Sequence, residues 1–125
     1  MSKLIRVTKR NCGEFKNMNE IEFAEDVLKR ILEIPLNNPM RFTRIGNNSG
    51  YELWGKIDDS GRAMIRKNIV DDFLEENNIN PLAFLRWAKK NEYLICEYGH
   101  TTYKARIPGD TGIARCVYFA VRLEP

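Results

Sequence analysis

The stretch Gly50-Tyr-Glu-Leu-Trp-Gly55-Lys56 has the spacing G-x-x-x-x-G-K, in which backbone N–H groups wrap a phosphate and the lysine reaches its outer oxygens. That chemistry needs small residues between the glycines and a Ser or Thr after the lysine to hold magnesium. Here the interior is Tyr-Glu-Leu-Trp and the next residue is Ile57. The pattern is that of a β-strand, and no apolar strand ending in Asp supplies a second magnesium carboxylate. The chain is therefore expected neither to bind nor to hydrolyse ATP by itself.

Cys96 and His100 stand four apart, and Cys12 and Cys116 would complete four ligands for zinc. No pair has the close C-x-x-C spacing of a structural zinc site, so Cys96 and Cys116 read as small apolar residues within strands. A Cys–His nucleophile pair lacks a third group to orient it. Asp58-Asp59 and Asp71-Asp72 are adjacent pairs in a turn and a helix start, where capping explains them better than a shared site. No metal, no cofactor and no catalytic residue is expected.

The cations carry more. Residues 81–122 hold seven Lys/Arg against three acids, and residues 1–16 hold five against one, whereas 17–80 hold eight against twelve. A basic C-terminal part on a near-neutral body suits a partner with a phosphate backbone. Arg86, Lys89, Lys90, Lys104 and Arg106 form the candidate set, with His100 added from the turn Tyr98-Gly-His-Thr-Thr102. Tyr98 is a candidate for stacking on an unpaired base, while Tyr103 reads as core. The set has no group of Asn, Gln or Arg rich enough to read bases, so binding is expected to be weak, salt-sensitive and mostly nonspecific.

The elements that must position these residues follow from periodicity. Asn19 with Glu22 makes a capping-box pattern, and Ile21, Phe23, Ala24, Val27, Leu28, Ile31, Leu32 and Ile34 recur at helical spacing until Pro35. Residues 36–50 read as a loop. Residues 51–65 read as a hairpin around the turn Asp58-Asp-Ser-Gly61. A helix capped by Asn68 runs to Glu76, with Ile69, Val70, Phe73 and Leu74 as its buried face. Asn77-Asn78 can end it in the left-handed region. Asn80 then caps a second helix, with Pro81 at its first position. On a helical wheel Phe84, Leu85 and Ala88 face one side and Arg86 and Lys90 the other, with Ala83 and Lys89 beside them. Leu82 and Trp87 lie at the borders. Strands are expected at about 93–97, 101–107 and 114–123, joined by the turn Pro108-Gly-Asp-Thr-Gly112.

This order is that of an α+β winged helix-turn-helix: three helices, a C-terminal three-stranded antiparallel meander and a short hairpin. The expected organisation is a basic N-terminal arm over 1–18 and the winged-helix domain over 19–125. The chain's 125 residues suffice for one core. No apolar run is long enough for a membrane span and the N-terminus does not read as a signal peptide. Three cysteines without tight spacing suggest reduced thiols and a cytoplasmic location.

Glu52-Leu-Trp-Gly-Lys-Ile-Asp58, the helix pair up to Asn91, Glu92-Tyr-Leu-Ile95, and Tyr103-Lys-Ala-Arg-Ile107 through Val117-Tyr-Phe-Ala-Val121 resemble one family. It is the C-terminal winged-helix domain of phage-, plasmid- and staphylococcal-cassette-type self-loading replicative helicases. These are AAA+ ATPases of a domain-of-unknown-function family, related in architecture to the minichromosome maintenance helicases. The resemblance covers roughly residues 20–123. It implies DNA handling in the replication of a mobile element, with an ATPase core outside this chain. The winged helix would touch DNA, a replication partner or the ATPase ring, and no catalytic residue is carried over.

The reading is a nucleic-acid-binding, non-enzymatic domain that contacts DNA mainly through phosphates. Two alternatives stand beside it. One is a protein–protein module anchored by Trp87 and Leu82. The other is a small transcription regulator, which would have to dimerise because one recognition helix reads too few bases.

Overall fold

The computed structural model describes residues 18–42, 52–107 and 112–123. The basic arm up to residue 17, Cys12, residues 43–51 of the expected loop and hairpin, and residues 108–111 of the reverse turn lie outside the described residues.

Helix α1 (Met18–Asn37) buries Ala24, Val27, Leu28 and Ile31, the expected stripe. It does not stop at Pro35, which lies inside its last turn. A proline this close to the end removes only one late hydrogen bond. The helix closes instead at Asn38, whose backbone N–H and side-chain Nδ2 both donate to the Ile34 carbonyl, at 3.0 and 2.9 Å. A 3-10 turn, Pro39–Arg41, follows.

Strands β1 (Gly55–Ile57) and β2 (Arg62–Arg66) form the expected hairpin, with Gly55 opposite Ile65 and Ile57 opposite Ala63. The turn is organised by Asp58, whose Oδ1 accepts from the backbone of Ser60 and of Arg62 at 2.9 Å and from the Ser60 hydroxyl at 2.7 Å. Its other oxygen accepts from the Tyr118 hydroxyl. Gly55 has a packing role: a Cβ there would sit 1.9 Å from the Met64 carbonyl oxygen and 2.8 Å from the Phe42 ring.

Helix α2 (Lys67–Glu76) starts directly from β2, with Arg66 as its flanking residue and no side-chain cap. Asn68 is therefore not the cap that its type suggested. It lies in the first turn, exposed, because β2 hands its backbone straight to the helix. The turn out of α2 is as expected. Asn78 takes φ +60°, and Ile79 N–H returns to the Leu74 carbonyl at 2.8 Å. Asn80 Oδ1 accepts from Ala83 N–H at 2.9 Å, and Pro81 opens helix α3 (Pro81–Lys90). Helix, four-residue turn and helix make the helix-turn-helix.

Strands β3 (Tyr103–Ala105) and β4 (Ala114–Arg122) complete the wing. The sheet corrects the expected meander. Hairpin and wing form one four-stranded antiparallel sheet in the order β1-β2-β4-β3. Residues 93–97 are no strand: a single bridge joins Leu94 to Phe119. Ile95 N–H and Ala120 N–H add hydrogen bonds to Tyr118 and Tyr93 across the same edge, at 2.8 and 2.7 Å. The edge then resumes with Tyr103 opposite Cys116. Nine steps along the chain, Leu94 to Tyr103, thus face only three along β4, Phe119 to Cys116. Residues 96–102 are looped out of one interrupted edge strand.

Both faces of β4 are used. Val117 and Phe119 are fully buried with α1, α2 and α3 in the main core, together with Phe84, Leu74 and Ile31. Cys116 points to the other face, where Leu53, Met64, Ala105 and Ile107 form a smaller cluster. Val121, two residues further along the same strand, is only half-buried near the strand end. The architecture is an α+β winged helix-turn-helix. Among the described residues no helix is long and apolar enough to cross a membrane.

Candidate nucleic-acid interface

Helix α3 buries Ala83, Phe84, Leu85, Trp87 and Ala88. What remains outward is a single stripe, Leu82, Arg86, Lys89 and Lys90, all exposed. This stripe is narrower than the wheel suggested. Ala83 and Trp87 turn inward, and Trp87 retains only 4% exposure. Its ring lies between Phe84 and Tyr93, with centroids at 5.6 and 5.4 Å. The chain reverses after Glu92, at φ +65°, and Tyr93 folds back over the helix. Trp87 therefore belongs to the core and is no surface anchor. Leu82 stays 45% exposed.

Arg86 has no ion-pair partner among the described residues and points its charge into solvent. Lys89 and Lys90 lie in the last turn, where cations also complement the negative end of the helix dipole. Lys89 Nζ donates to the His100 carbonyl at 2.8 Å, tying the looped-out segment to the helix. The structure thus brings together Arg86, Lys89, Lys90 and the backbone of His100. Lys104 and Arg106 are exposed on and just beyond β3, and are reached from His100 through Thr102.

Arg115, one of the seven cations of residues 81–122, has a bracing role. It sits opposite Lys104 and donates to Glu97 Oε1 at 2.9 Å and to Thr102 Oγ1 at 3.1 Å. Thr102 is buried and its carbonyl accepts from Glu97 N–H at 3.3 Å, so both ends of the loop are pinned. The tip is a tight turn closed by His100 N–H on the Glu97 carbonyl at 3.0 Å, with Gly99 at φ +78°. Tyr98 on that tip is wholly exposed. Gly99 in the sequence was the only local signal of this turn.

Charge is divided between the two helices of the motif. Helix α2 exposes Asp72, Glu75 and Glu76, whereas α3 exposes Arg86, Lys89 and Lys90. A polyanion is repelled from the first and drawn to the second. The cleft at the start of α2, about 450 Å³ and lined by Arg66, Lys67, Asp71 and Arg115, has its cations engaged within the fold. Lys67 pairs with Asp71 at 2.5 Å, Arg66 Nε donates to the Leu53 carbonyl at 2.8 Å, and the buried Asp71 Oδ1 has no hydrogen-bond partner. An unpartnered carboxylate oxygen disfavours phosphate there.

The residues with spacing suited to other chemistry are scattered. Gly55 and Lys56 lie in β1, and no helix N-terminus follows the lysine. Cys116 is buried inside a strand, as expected, but Cys96 lies in the looped-out segment and His100 is exposed. Burial pushes the Cys96 thiol up, partly offset by the nearby Lys89 ammonium, so it is a poor nucleophile at neutral pH. Among the described residues no three His, Cys, Asp or Glu side chains gather as a metal site.

The family model described as the Cch helix turn helix domain matches residues 22–125. No curated protein and no solved structure matches the chain.

Proposed function

Because the chain belongs to the Cch helix turn helix domain family, a class that suggests nucleic-acid binding, we propose that it binds DNA through the outward stripe of α3. Arg86, Lys89 and Lys90 contact phosphates, with His100, Lys104 and Arg106 extending the surface onto the loop and wing. The observation that carries this reading is the separation of charge, with cations exposed on α3 and carboxylates on α2. The stripe has one arginine, two lysines and a leucine, a set that positions a backbone and reads few bases.

The domain spans 19–125, preceded by a basic arm that adds nonspecific attraction. Following the resemblance at Glu52–Asp58 and Val117–Val121, its setting is the replication of a mobile element, in the cytoplasm. There it acts as a non-enzymatic accessory of an AAA+ helicase whose ATPase core is supplied elsewhere. Fluorescence anisotropy with a labelled duplex at low salt tests the DNA reading. Arg86→Ala with Lys90→Ala weakens binding to every sequence alike, and unchanged affinity removes α3 as the contact.

A second reading, a protein-interaction module, has one observation in its favour. Pro35, Leu36, Pro39, Phe42, Ile57 and Leu123 line an apolar groove of about 270 Å³ at the end of α1. In that case Leu36→Glu disrupts partner capture and leaves DNA binding untouched.

A further inference from the structure

We propose that the looped-out segment 96–102 is a base-stacking site that directs this domain to unpaired bases at a duplex–single-strand junction, with Tyr98 as the stacking residue. The inference rests on the DNA-binding reading and deepens it by naming the DNA form.

Three observations meet at this loop. First, it is an insertion in an otherwise continuous strand edge: Leu94 and Tyr103 occupy the same row against β4, and the chain between them is thrown outward. Secondly, it is held at both ends and at its side. Arg115 grips Glu97 and Thr102, and Lys89 of α3 holds the His100 carbonyl. A braced loop loses less conformational freedom on binding than a loose one. Thirdly, it spends this bracing on an aromatic ring with no packing role, since Tyr98 is 102% exposed. Every other tyrosine of the described residues is half-buried.

The surroundings decide what the ring meets. Lys89 and Lys90 lie at the adjoining end of α3, and His100 is two residues away. A flat aromatic ring on a loop tied to the cationic end of α3 matches a nucleobase on a polyanionic strand, because each base offers a π-face and each phosphate a charge. Inside a duplex those faces are covered by neighbouring bases. Only a single strand or the open side of a junction presents one to a rigid loop while α3 contacts the flanking phosphates.

The test uses the 125-residue chain and three probes of matched sequence: a blunt duplex, a single strand and a fork with 2-aminopurine at the first unpaired position. Alanine substitution at a base-stacking aromatic costs about 5- to 150-fold in affinity. Tyr98→Ala is expected to lower fork affinity within that range, to change duplex affinity less than about twofold, and to abolish the quenching of 2-aminopurine. Tyr98→Phe and Tyr98→Trp retain both. The ring is fully in solvent, so the fold is unaffected, which circular dichroism verifies. If Tyr98→Ala leaves the fork unchanged, or weakens fork and duplex equally, the stacking site is wrong, while binding dependent on Arg86 and Lys90 would keep the DNA reading. A Tyr98 that matters only for capturing a protein also overturns it. If the wild type binds none of the three probes, both readings fall together.

Discussion

Lys89 Nζ donates to the carbonyl oxygen of His100 at 2.8 Å, across eleven residues of chain. The bond couples the last turn of α3 to the loop carrying Tyr98, so that two separately encoded features present one surface. Lys89→Met keeps the aliphatic stem and removes the donor. An exposed hydrogen bond of this kind contributes about 1 kcal/mol or less. Global stability should therefore change little, while amide exchange at 97–101 speeds up and that of β4 does not. Equal protection in both proteins would show that the coupling is not holding the loop.

Phe119 is fully buried and Leu94 bridges to its backbone, so the main core closes around it. Phe119→Ala should cost about 3–5 kcal/mol in a urea melt. A loss below about 1 kcal/mol would contradict the inward facing of this strand position.

Gly55 packs where no side chain fits, because the atom in the way is the Met64 backbone oxygen. Gly55→Ala must part β1 from β2 and should cost about 3 kcal/mol or more. Gly61 offers the contrast, with φ +90° and open space around its Cβ position. Gly61→Ala should cost only about 1–2 kcal/mol, the price of a left-handed residue. Reversal of that order in thermal melts would sink the packing argument.

Asp58 and Tyr118 join the first hairpin to β4. Burial alone would raise the Asp58 carboxyl, but hydrogen bonds from Tyr118, Ser60 and Arg62 outweigh it and hold the group well below the usual range. A depressed carboxyl contributes stability that is present above its unfolded value of about 4 and is lost as pH falls below it. Burial, and then the bond to Asp58, push the Tyr118 hydroxyl up from 10.0 to about 12. That contribution is fully present below about pH 10 and disappears as pH rises through 12. The stability gap between wild type and Asp58→Asn should narrow below pH 4, and Tyr118→Phe should abolish the alkaline decline. A gap independent of pH would contradict both shifts.

The parts legible in the sequence are those set by local chemistry. Asn77-Asn78 and Asn80-Pro81 mark the turn of the helix-turn-helix because left-handed and capping conformations belong to those residue types. The hairpin turn was legible through Asp58 and Gly61 for the same reason. What escaped depends on distant partners. The sequence marks a turn at 98–102 but not that the pieces on either side of it share one row against β4, an arrangement braced where Arg115, Glu97 and Thr102 meet. Trp87 lay at a wheel border, and only the reversal at Glu92 decides that it is covered. Asn68 has the type of a cap, but α2 already begins at Lys67, straight from β2, so Asn68 falls inside the first turn. Of the candidate site, the exposure of all six chosen residues follows the sequence pattern, whereas the prominence of Tyr98 over its neighbours comes from the fold alone.

The salt dependence of DNA binding tests the central claim most directly. Each phosphate neutralised on a duplex contributes about 0.9 to the log–log slope, so contacts by Arg86, Lys89, Lys90, Lys104 and Arg106 give roughly −4 to −5. Affinity should then fall about 300- to 1,000-fold between 50 and 200 mM salt. Arg86→Ala with Lys90→Ala should flatten the slope by about two units without affecting the fold, since both side chains are exposed opposite Phe84 and Ala88. Lys29→Ala with Arg30→Ala, two exposed cations on α1, should leave the slope unchanged. Equal slopes for the two double variants, or a wild type whose binding ignores salt, would contradict a DNA-binding face on α3.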